Sequence, residues 1–466
     1  MKNRGIDIAE KNIVIVGAGF SGTMTAVNLL QKSKNFRLNI YLIEASGSIG
    51  RGLAYQTADD NFLLNVPAGN MSAFADRPSY FTDYCQTIDP AFINGSFISR
   101  RIYGDYLEHT LLAAERESCA KLTRLNREVV AVLKNKGQNA WQVNLSDGKS
   151  LDADQVVLAL GHFAPLPITP FDGLRSEVRY INNPWDMSQP ISTSGTLPVV
   201  LLGTGHTAID TLFRLTSGNH AQPVTLISRR GLIPNEHRFT SKPPQVSSKL
   251  PDYLKSCEPC IRAYVKAIRK EIATRAEIAV DWRDVLNEMR PHTPELWRRL
   301  NLADRTRFLY RIAPYWDVYR HRMAPAAHVR LKKLIESGQV KVIAGRVKEV
   351  SNFQDHICLE ITIRGSNRAE KIQAESVVNC TGPNYDLRKV DRPLIKQLLM
   401  DDLISQDPLK IGLETNDDYQ VLRDDHSAVE GMFYLGPMLK AKYWESIAVP
   451  ELRGHVARLV EKLLNS

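Results

Sequence analysis

Cysteine is scarce, with six in 466 residues. Cys85, Cys119, Cys358 and Cys380 are scattered and read as small buried apolar residues. Only Cys257-Glu-Pro-Cys260 has a suggestive spacing, and no second pair of matching spacing exists to complete a zinc site. The pair falls in a segment of helical pattern, which favours a structural or incidental role over a redox one. No metal is expected. Tandem repeats and long biased tracts are also missing, so neither a solenoid nor a disordered chain is expected. One charge-free run, residues 13–30, has the length of a membrane span. Gly17, Gly19 and Gly22 break it, and it reads instead as a strand followed by a helix. Asp7 and Glu10 stand where a secretory leader would be basic. A cytoplasmic protein without membrane attachment is expected.

Acid is in deficit, with 60 Lys and Arg against 51 Asp and Glu. The imbalance is local: residues 255–333 hold 18 basic and 9 acidic side chains, equal to the whole net charge of +9. Such an excess suits nucleic acid, an anionic substrate or cofactor phosphates; for most of these residues a solvated helical face is the plainer reading. The length suits two or three domains with substantial cores.

Against that plain background two short stretches stand out. Ile13-Val-Ile-Val16 is a buried parallel strand by pattern. Gly17-Ala-Gly19-Phe20-Ser21-Gly22 follows, and Thr23 to Leu30 continues as a helix. Gly17 permits the tight turn, Gly19 admits a pyrophosphate, and Gly22 lets helix and strand pack closely. The helix N-terminus offers free N–H groups to phosphate. A second strand, Leu38 to Ile43, ends at Glu44, whose carboxylate suits an unphosphorylated ribose and so FAD or NAD.

The second stretch repeats the plan. Val199 to Leu202 leads into Gly203-Thr-Gly205-His206-Thr207-Ala208-Ile-Asp210. The strand after it, Val224 to Ile227, ends in Ser228-Arg229-Arg230 rather than an acid. Arginine there suits the 2′-phosphate and adenine of NADP. Two turns tuned differently imply FAD in the first and NADPH in the second, with hydride passing from nicotinamide to flavin. His162 and His206 sit beside these turns and read as packing or hydrogen-bonding residues.

Gln155 to Gly161 and Ser376 to Gly382 are strands ending at glycines, similar to those that cross between the FAD and NADP domains of two-dinucleotide flavoproteins. The chain resembles the bacterial FAD/NAD(P)-binding protein family, a branch of those flavoproteins. Beyond the turns, the likeness rests on Gly50-Arg-Gly-Leu-Ala-Tyr55, Asn61-Phe-Leu-Leu-Asn-Val-Pro-Ala68 with Met71-Ser72, and Asn183-Pro-Trp185. It continues through Ser228 to Pro234, His237, Tyr315-Trp-Asp-Val-Tyr-Arg-His-Arg322 and Trp444 to Arg453. The resemblance implies an α/β fold with two Rossmann-like domains. The FAD domain would comprise 1–190 and 366–466, and the NAD(P) domain 195–365 with a helical insertion at about 240–335. It also implies that Leu64, Asn65 and Val66 lie along the flavin. Gly161 would end the crossing strand, and the Gly436-Pro437 turn with Glu445 to Val449, Ala448 included, would close over the flavin pyrimidine side.

The form GxGxTAxD of the second turn is similar to that of NADPH-dependent flavin monooxygenases. The Phe171-Asp-Gly173 segment lacks the histidine of their usual fingerprint, which argues against Baeyer–Villiger or sulfur oxygenation and leaves N-hydroxylation or another oxygen insertion. A monooxygenase of a small molecule is therefore expected, with a reductase using another acceptor as the alternative. A redox sensor or nucleic-acid-associated protein is the third reading, disfavoured by two intact turns. Arg320, His321 and Arg322 are the candidate catalytic residues, the arginines also suiting an anionic substrate.

Overall fold

In the computed structural model, residues 10–465 are described, except 34–36, 58, 136–139, 175–176, 187, 194, 218–221, 241–248 and 367. Asp7, and with it part of the argument against a leader, lies outside them. Two parallel-centred sheets organise the chain. The first has the order β15-β16-β7-β1-β2-β3. Its strands are β1 (Glu10–Val16), β2 (Arg37–Ile43), β3 (Lys121–Leu125), β7 (Gln155–Leu158), β15 (Gln420–Leu422) and β16 (Ala428–Tyr434). β1 is flanked by parallel neighbours on both edges, and Ile13, Val14 and Ile15 are fully buried. That double burial explains its unbroken apolar run, where a one-sided strand would alternate. The charge-free run 13–30 is thus β1, the glycine turn and most of the helix Phe20–Lys32. No helix among the described residues is long and apolar enough to cross a membrane.

The second sheet has the order β13-β12-β11-β10-β9-β14-β8. It comprises β8 (Tyr180–Ile181), β9 (Val199–Leu202), β10 (Val224–Ser228), β11 (Val340–Asn352), β12 (Ile357–Ile363), β13 (Ala369–Ala374) and β14 (Ser376–Asn379). A small antiparallel sheet, β4 (Val129–Lys134), β5 (Trp141–Leu145) and β6 (Ser150–Ala153), precedes β7. The antiparallel run β11-β12-β13 precedes β14 in the same manner. Tyr180–Ile181 and Ser376–Asn379 fall by sequence within the first domain, yet both pair into the second sheet: β14 lies parallel between β9 and β8. Sheet membership therefore changes before Tyr180 and after Asn379, rather than near 190 and 366.

Between β10 and β11 lies the helical insertion, with helices that include Ile261–Ala276, Trp282–Met289, Thr293–Arg299 and Ala313–Arg320. It has its own core of Leu254, Ile261, Tyr264, Met289, Leu296, Trp297, Leu300, Phe308 and Ala313, which Trp444 of the C-terminal segment joins. Trp444 stacks on Trp297 at 4.8 Å and meets Phe308 edge-on at 4.8 Å. Pro314 looks like a helix stop in the sequence. Instead a π-helical turn, Phe308–Ile312, runs straight into the helix Ala313–Arg320, with Pro314 in its first turn. The carbonyl four residues back that Pro314 cannot bond, Tyr310 O, accepts from the Arg230 guanidinium instead, at 3.2 Å.

Candidate functional site

Both glycine turns sit at the carboxyl ends of parallel strands, where open α/β sheets bind ligands. At the first, Gly17 adopts φ +103° and donates its N–H to Ile43 O at 2.8 Å. A Cβ on Gly17 would stand 2.6 Å from Ala159 O, and one on Gly22 would stand 1.8 Å from Gly17 O. A Cβ on Gly19 would meet only the Gly52 Cα, at 3.7 Å. Gly17 and Gly22 are thus required by the fold itself, whereas Gly19 keeps a cradle open beside the N-terminus of the helix Phe20–Lys32. That helix has no side-chain cap. Phe20 and Ser21 are buried in its first turn. Glu44 reaches back to the turn: its Oε2 accepts the Ala18 N–H at 2.9 Å and its Oε1 the Ser46 N–H at 3.0 Å.

The second turn reproduces this backbone with other residues. Gly203 has φ +130° and donates to Ile227 O at 2.7 Å, and its Cβ would stand 2.5 Å from Cys380 O. Around Gly205 a Cβ would meet nothing within 4 Å. Thr207 lies in the first turn of the uncapped helix His206–Leu215, and Ala208, in the place of the third glycine, is fully buried. Arg229 is exposed at the end of β10. The Arg230 guanidinium lies over the Tyr315 ring at 5.7 Å and donates to Tyr310 O at 3.2 Å. Hydrogen bonds from Arg364 and Arg230 hold the Tyr315 hydroxyl below its ordinary pKa. Arg364 follows β12, far along the chain, and nothing in the sequence marks it.

Of the remaining expected residues, Gly161 and Gly436 follow paired strands at the end of the first sheet. The Tyr434 hydroxyl donates to Leu160 O at 3.0 Å and accepts the Met438 N–H at 3.0 Å. Gly436 is thereby held against the end of β7, where its Cβ would stand 2.6 Å from the Tyr434 hydroxyl. Around Gly161 a Cβ would meet nothing within 4 Å. Ala448 O accepts the Glu451 and Leu452 N–H groups, which starts the helix Val449–Asn465 on a buried Val449. Leu64 is buried, Val66 half-buried, and Asn65 O is bonded to His237 Nε2 at 3.0 Å.

The two halves meet. A narrow crevice is lined by Leu64 and Asn65 from one side and His206 and Asp210 from the other. Across it Arg100 pairs with Asp210 at 2.8 Å and donates to Leu63 O at 3.3 Å. Burial pushes the Asp210 carboxyl up, and Arg100 opposes the shift. Sequence reasoning noted Asp210 as part of the turn but not its partner, 110 positions earlier.

The candidate trio 320–322 is divided. Arg320 is buried and paired with Glu445 at 2.9 Å, with Glu451 at 3.6 Å. Glu445 also accepts the Trp316 Nε1–H at 3.0 Å, and Glu451 holds Arg290 with both oxygens, at 2.5 and 2.9 Å. His321 ends the helix Ala313–Arg320, and its carbonyl is bonded to His206 Nε2 at 2.8 Å. Burial and the neighbouring Arg320 push its imidazole well below the ordinary value, which keeps it neutral. Arg322 is buried beside Asn287. Phe171 stacks on Tyr180 at 5.0 Å under the second sheet, a packing role. The Cys257 thiol donates to Tyr253 O at 3.0 Å, and Cys260 Sγ accepts the Ala263 N–H at 3.4 Å as the cap of the helix Ile261–Ala276.

Residues 14–163, which hold the whole first turn, match the FAD-NAD(P)-binding family. The chain carries an FAD-NAD(P)-binding domain. Around that FAD-NAD(P)-binding domain the whole chain shares its fold with several solved structures. One is the FAD-bound cadaverine monooxygenase of the desferrioxamine pathway of Erwinia amylovora, with TM-score 0.66 and 14% identity over 98% of this chain and 95% of that one. Another is the ornithine N-hydroxylase of Kutzneria sp. 744 with reduced FAD, NADP+ and L-ornithine, with TM-score 0.62 and 14% identity over 98% and 99%. A third is the bacillithiol disulfide reductase of Bacillus cereus, with TM-score 0.53 and 15% identity over 98% and 99%. At these identities the likeness is one of fold. No curated protein matches the chain.

Proposed function

We propose that the chain is a flavin-dependent oxidoreductase that draws hydride from NADPH onto FAD and hydroxylates a small molecule with oxygen. One observation carries this reading: two glycine turns of the same backbone stand at the carboxyl ends of parallel strands in two sheets, one answered by Glu44 and the other followed by Arg230. FAD would lie on Gly17, Gly19, Phe20, Ser21 and Gly22, with Glu44 exchanging its backbone partners for ribose hydroxyls. Leu64, Asn65, Val66, Gly161, Gly436, Ala448 and Val449 would line the flavin. Bound there, FAD accepts hydride and, once reduced, reacts with oxygen. NADPH would lie on Gly203, Gly205 and Thr207.

The chain's own contribution is to orient and to exclude water. The N-terminus of the helix Val449–Asn465 would favour negative charge on the flavin pyrimidine through its dipole, its Glu451 and Leu452 N–H groups being bonded to Ala448 O. The insertion, tied to the C-terminal segment through Trp297 and Trp444, would shield the reacting atoms from solvent. The solved monooxygenases of this fold act, by name, on cadaverine and ornithine, which supports an amine as the group hydroxylated.

Arg229, Arg230 and Arg364, with Tyr315 between the last two, would take the 2′-phosphate and adenine. Arg230→Ala is expected to weaken NADPH about ten- to hundredfold, the value of one or two charge-assisted bonds, and to leave NADH unchanged. Equal losses for both nucleotides, by calorimetry, would remove the arginine from that role. The reaction itself is tested by anaerobic stopped-flow. NADPH is expected to bleach the flavin absorbance rapidly, and oxygen uptake is then expected to rise with a hydroxylatable substrate. Failure of NADPH to bleach it sinks the pairing. Rapid bleaching with no hydroxylated product from any amine points instead to a reductase.

A further inference from the structure

Five arginines crowd the junction of the insertion with the first domain: Arg238, Arg283, Arg290, Arg320 and Arg322. Four have carboxylate partners. Arg238 is paired with Asp284 and Asp281, Arg283 with Asp281, Arg290 with Glu451, and Arg320 with Glu445 and Glu451. Arg322 has none among the described residues. Its side chain is 4% exposed, one nitrogen donates to the amide oxygen of Asn287 at 2.6 Å, and its Nε has no acceptor. Glu451 serves both Arg290 and Arg320 and also faces Arg453, so carboxylates are in short supply here, and the one arginine of the five without a carboxylate partner is buried.

We infer that Arg322 is the anchor for a carboxylate of the substrate. A buried guanidinium without a counter-ion is strongly unfavourable, and a ligand anion removes the penalty when it binds. A single unpaired guanidinium calls for a single anionic group. The planar fork of donors also matches a carboxylate in shape. The indole of Trp282, 5.8 Å from the guanidinium, supplies a weaker partner in the meantime. Neighbouring histidine adds no charge: burial and the surrounding arginines push His237 down to about 3.

Location agrees. His237, beside Arg322, bonds to Asn65 O, and Met323, the next residue, lines the crevice with Leu64 and Asn65. Glu451, which holds Arg290, lies in the first turn of the helix starting at Val449. The inference rests on the reading of this junction as the place of substrate turnover, and it makes the substrate a small acid, an amino acid if the hydroxylated group is an amine.

The test uses oxidised, FAD-loaded full-length protein without NADPH. Acetate, benzoate and γ-aminobutyrate are each titrated against the corresponding amide, with flavin difference absorbance and calorimetry as readouts. At least one acid is expected to bind about ten- to hundredfold more tightly than its amide, the value of a charge-assisted fork. That preference is expected to vanish in Arg322→Met and to survive in part in Arg322→Lys. Equal binding of acids and amides, no binding of any acid, or a preference that persists in Arg322→Met each overturns the assignment. If Arg322→Met does not retain FAD, Arg322→Gln replaces it, and the wild-type comparison stands by itself. These equilibria involve no NADPH and no oxygen, so failure of the monooxygenase reading shows up separately, in the stopped-flow experiment.

Discussion

Gly22→Ala is expected to yield protein without bound FAD and with a disrupted first domain. The new Cβ would lie 1.8 Å from Gly17 O and 3.1 Å from the Ala159 side chain. The first of these neighbours is backbone in a tight turn, so no rotamer change relieves the clash. The helix Phe20–Lys32 must instead move off β1, and ten of its thirteen residues are buried. Overpacking a core commonly costs about 1–3 kcal/mol where side chains can adjust, and more where backbone must move. Gly205→Ala is the matching control. Nothing lies within 4 Å of its Cβ, so the fold should survive with FAD retained while NADPH binding falls. Flavin-to-protein ratio by absorbance and far-UV circular dichroism check both variants. Full flavin occupancy in Gly22→Ala would falsify the packing argument.

Glu451→Ala is expected to destabilise the attachment of the insertion by about 1–3 kcal/mol, less than the ~3–5 kcal/mol for a fully buried ion pair, because both side chains keep some contact with solvent. Glu451 holds Arg290 with both oxygens and stands 3.6 Å from Arg320, so its loss leaves Arg290 without its partner and Arg320 with Glu445 only. The pair joins the insertion to the C-terminal helix, and the helices of the insertion should become protease-sensitive before the sheets do. Denaturation followed by tryptophan fluorescence is informative because Trp297, Trp316 and Trp444 all sit at this junction. A change below about 1 kcal/mol would put the pair in the class of solvent-screened surface bridges. Multi-domain chains seldom unfold in one step, so the first transition is the one to compare.

Local patterns were legible in the sequence and non-local pairings were not. Strand, turn and helix at Ile13–Leu30 and at Val199–Asp210 are contiguous, and their spacing states their geometry. The ends of the paired strands, Glu44 and Arg229-Arg230, follow at fixed distances. By contrast, parallel pairing joins segments far apart in the chain, so nothing near Ser376 says that β14 lies beside β9. The same holds for Arg100 and Asp210, and for Tyr315 and Arg364. Arg320 looked like a ligand-binding cation because its acids, Glu445 and Glu451, are supplied by the last helix and the loop before it. Arg322, next but one in sequence and alike in chemistry, differs only in lacking such partners.

The near-identity of the two turns has a consequence for how selectivity is encoded. Each first glycine donates to the end of the adjoining strand at 2.7–2.8 Å and lies against a carbonyl of its crossing strand. On the function proposed above, holding a dinucleotide is one architectural task performed twice by a common scaffold. Choosing which dinucleotide would then be left to a short cassette after the second strand of each half, Glu44 in one and Ser228-Arg229-Arg230 in the other. The two duties are separable, so the choice is open to revision at a few solvent-facing positions without rebuilding either core.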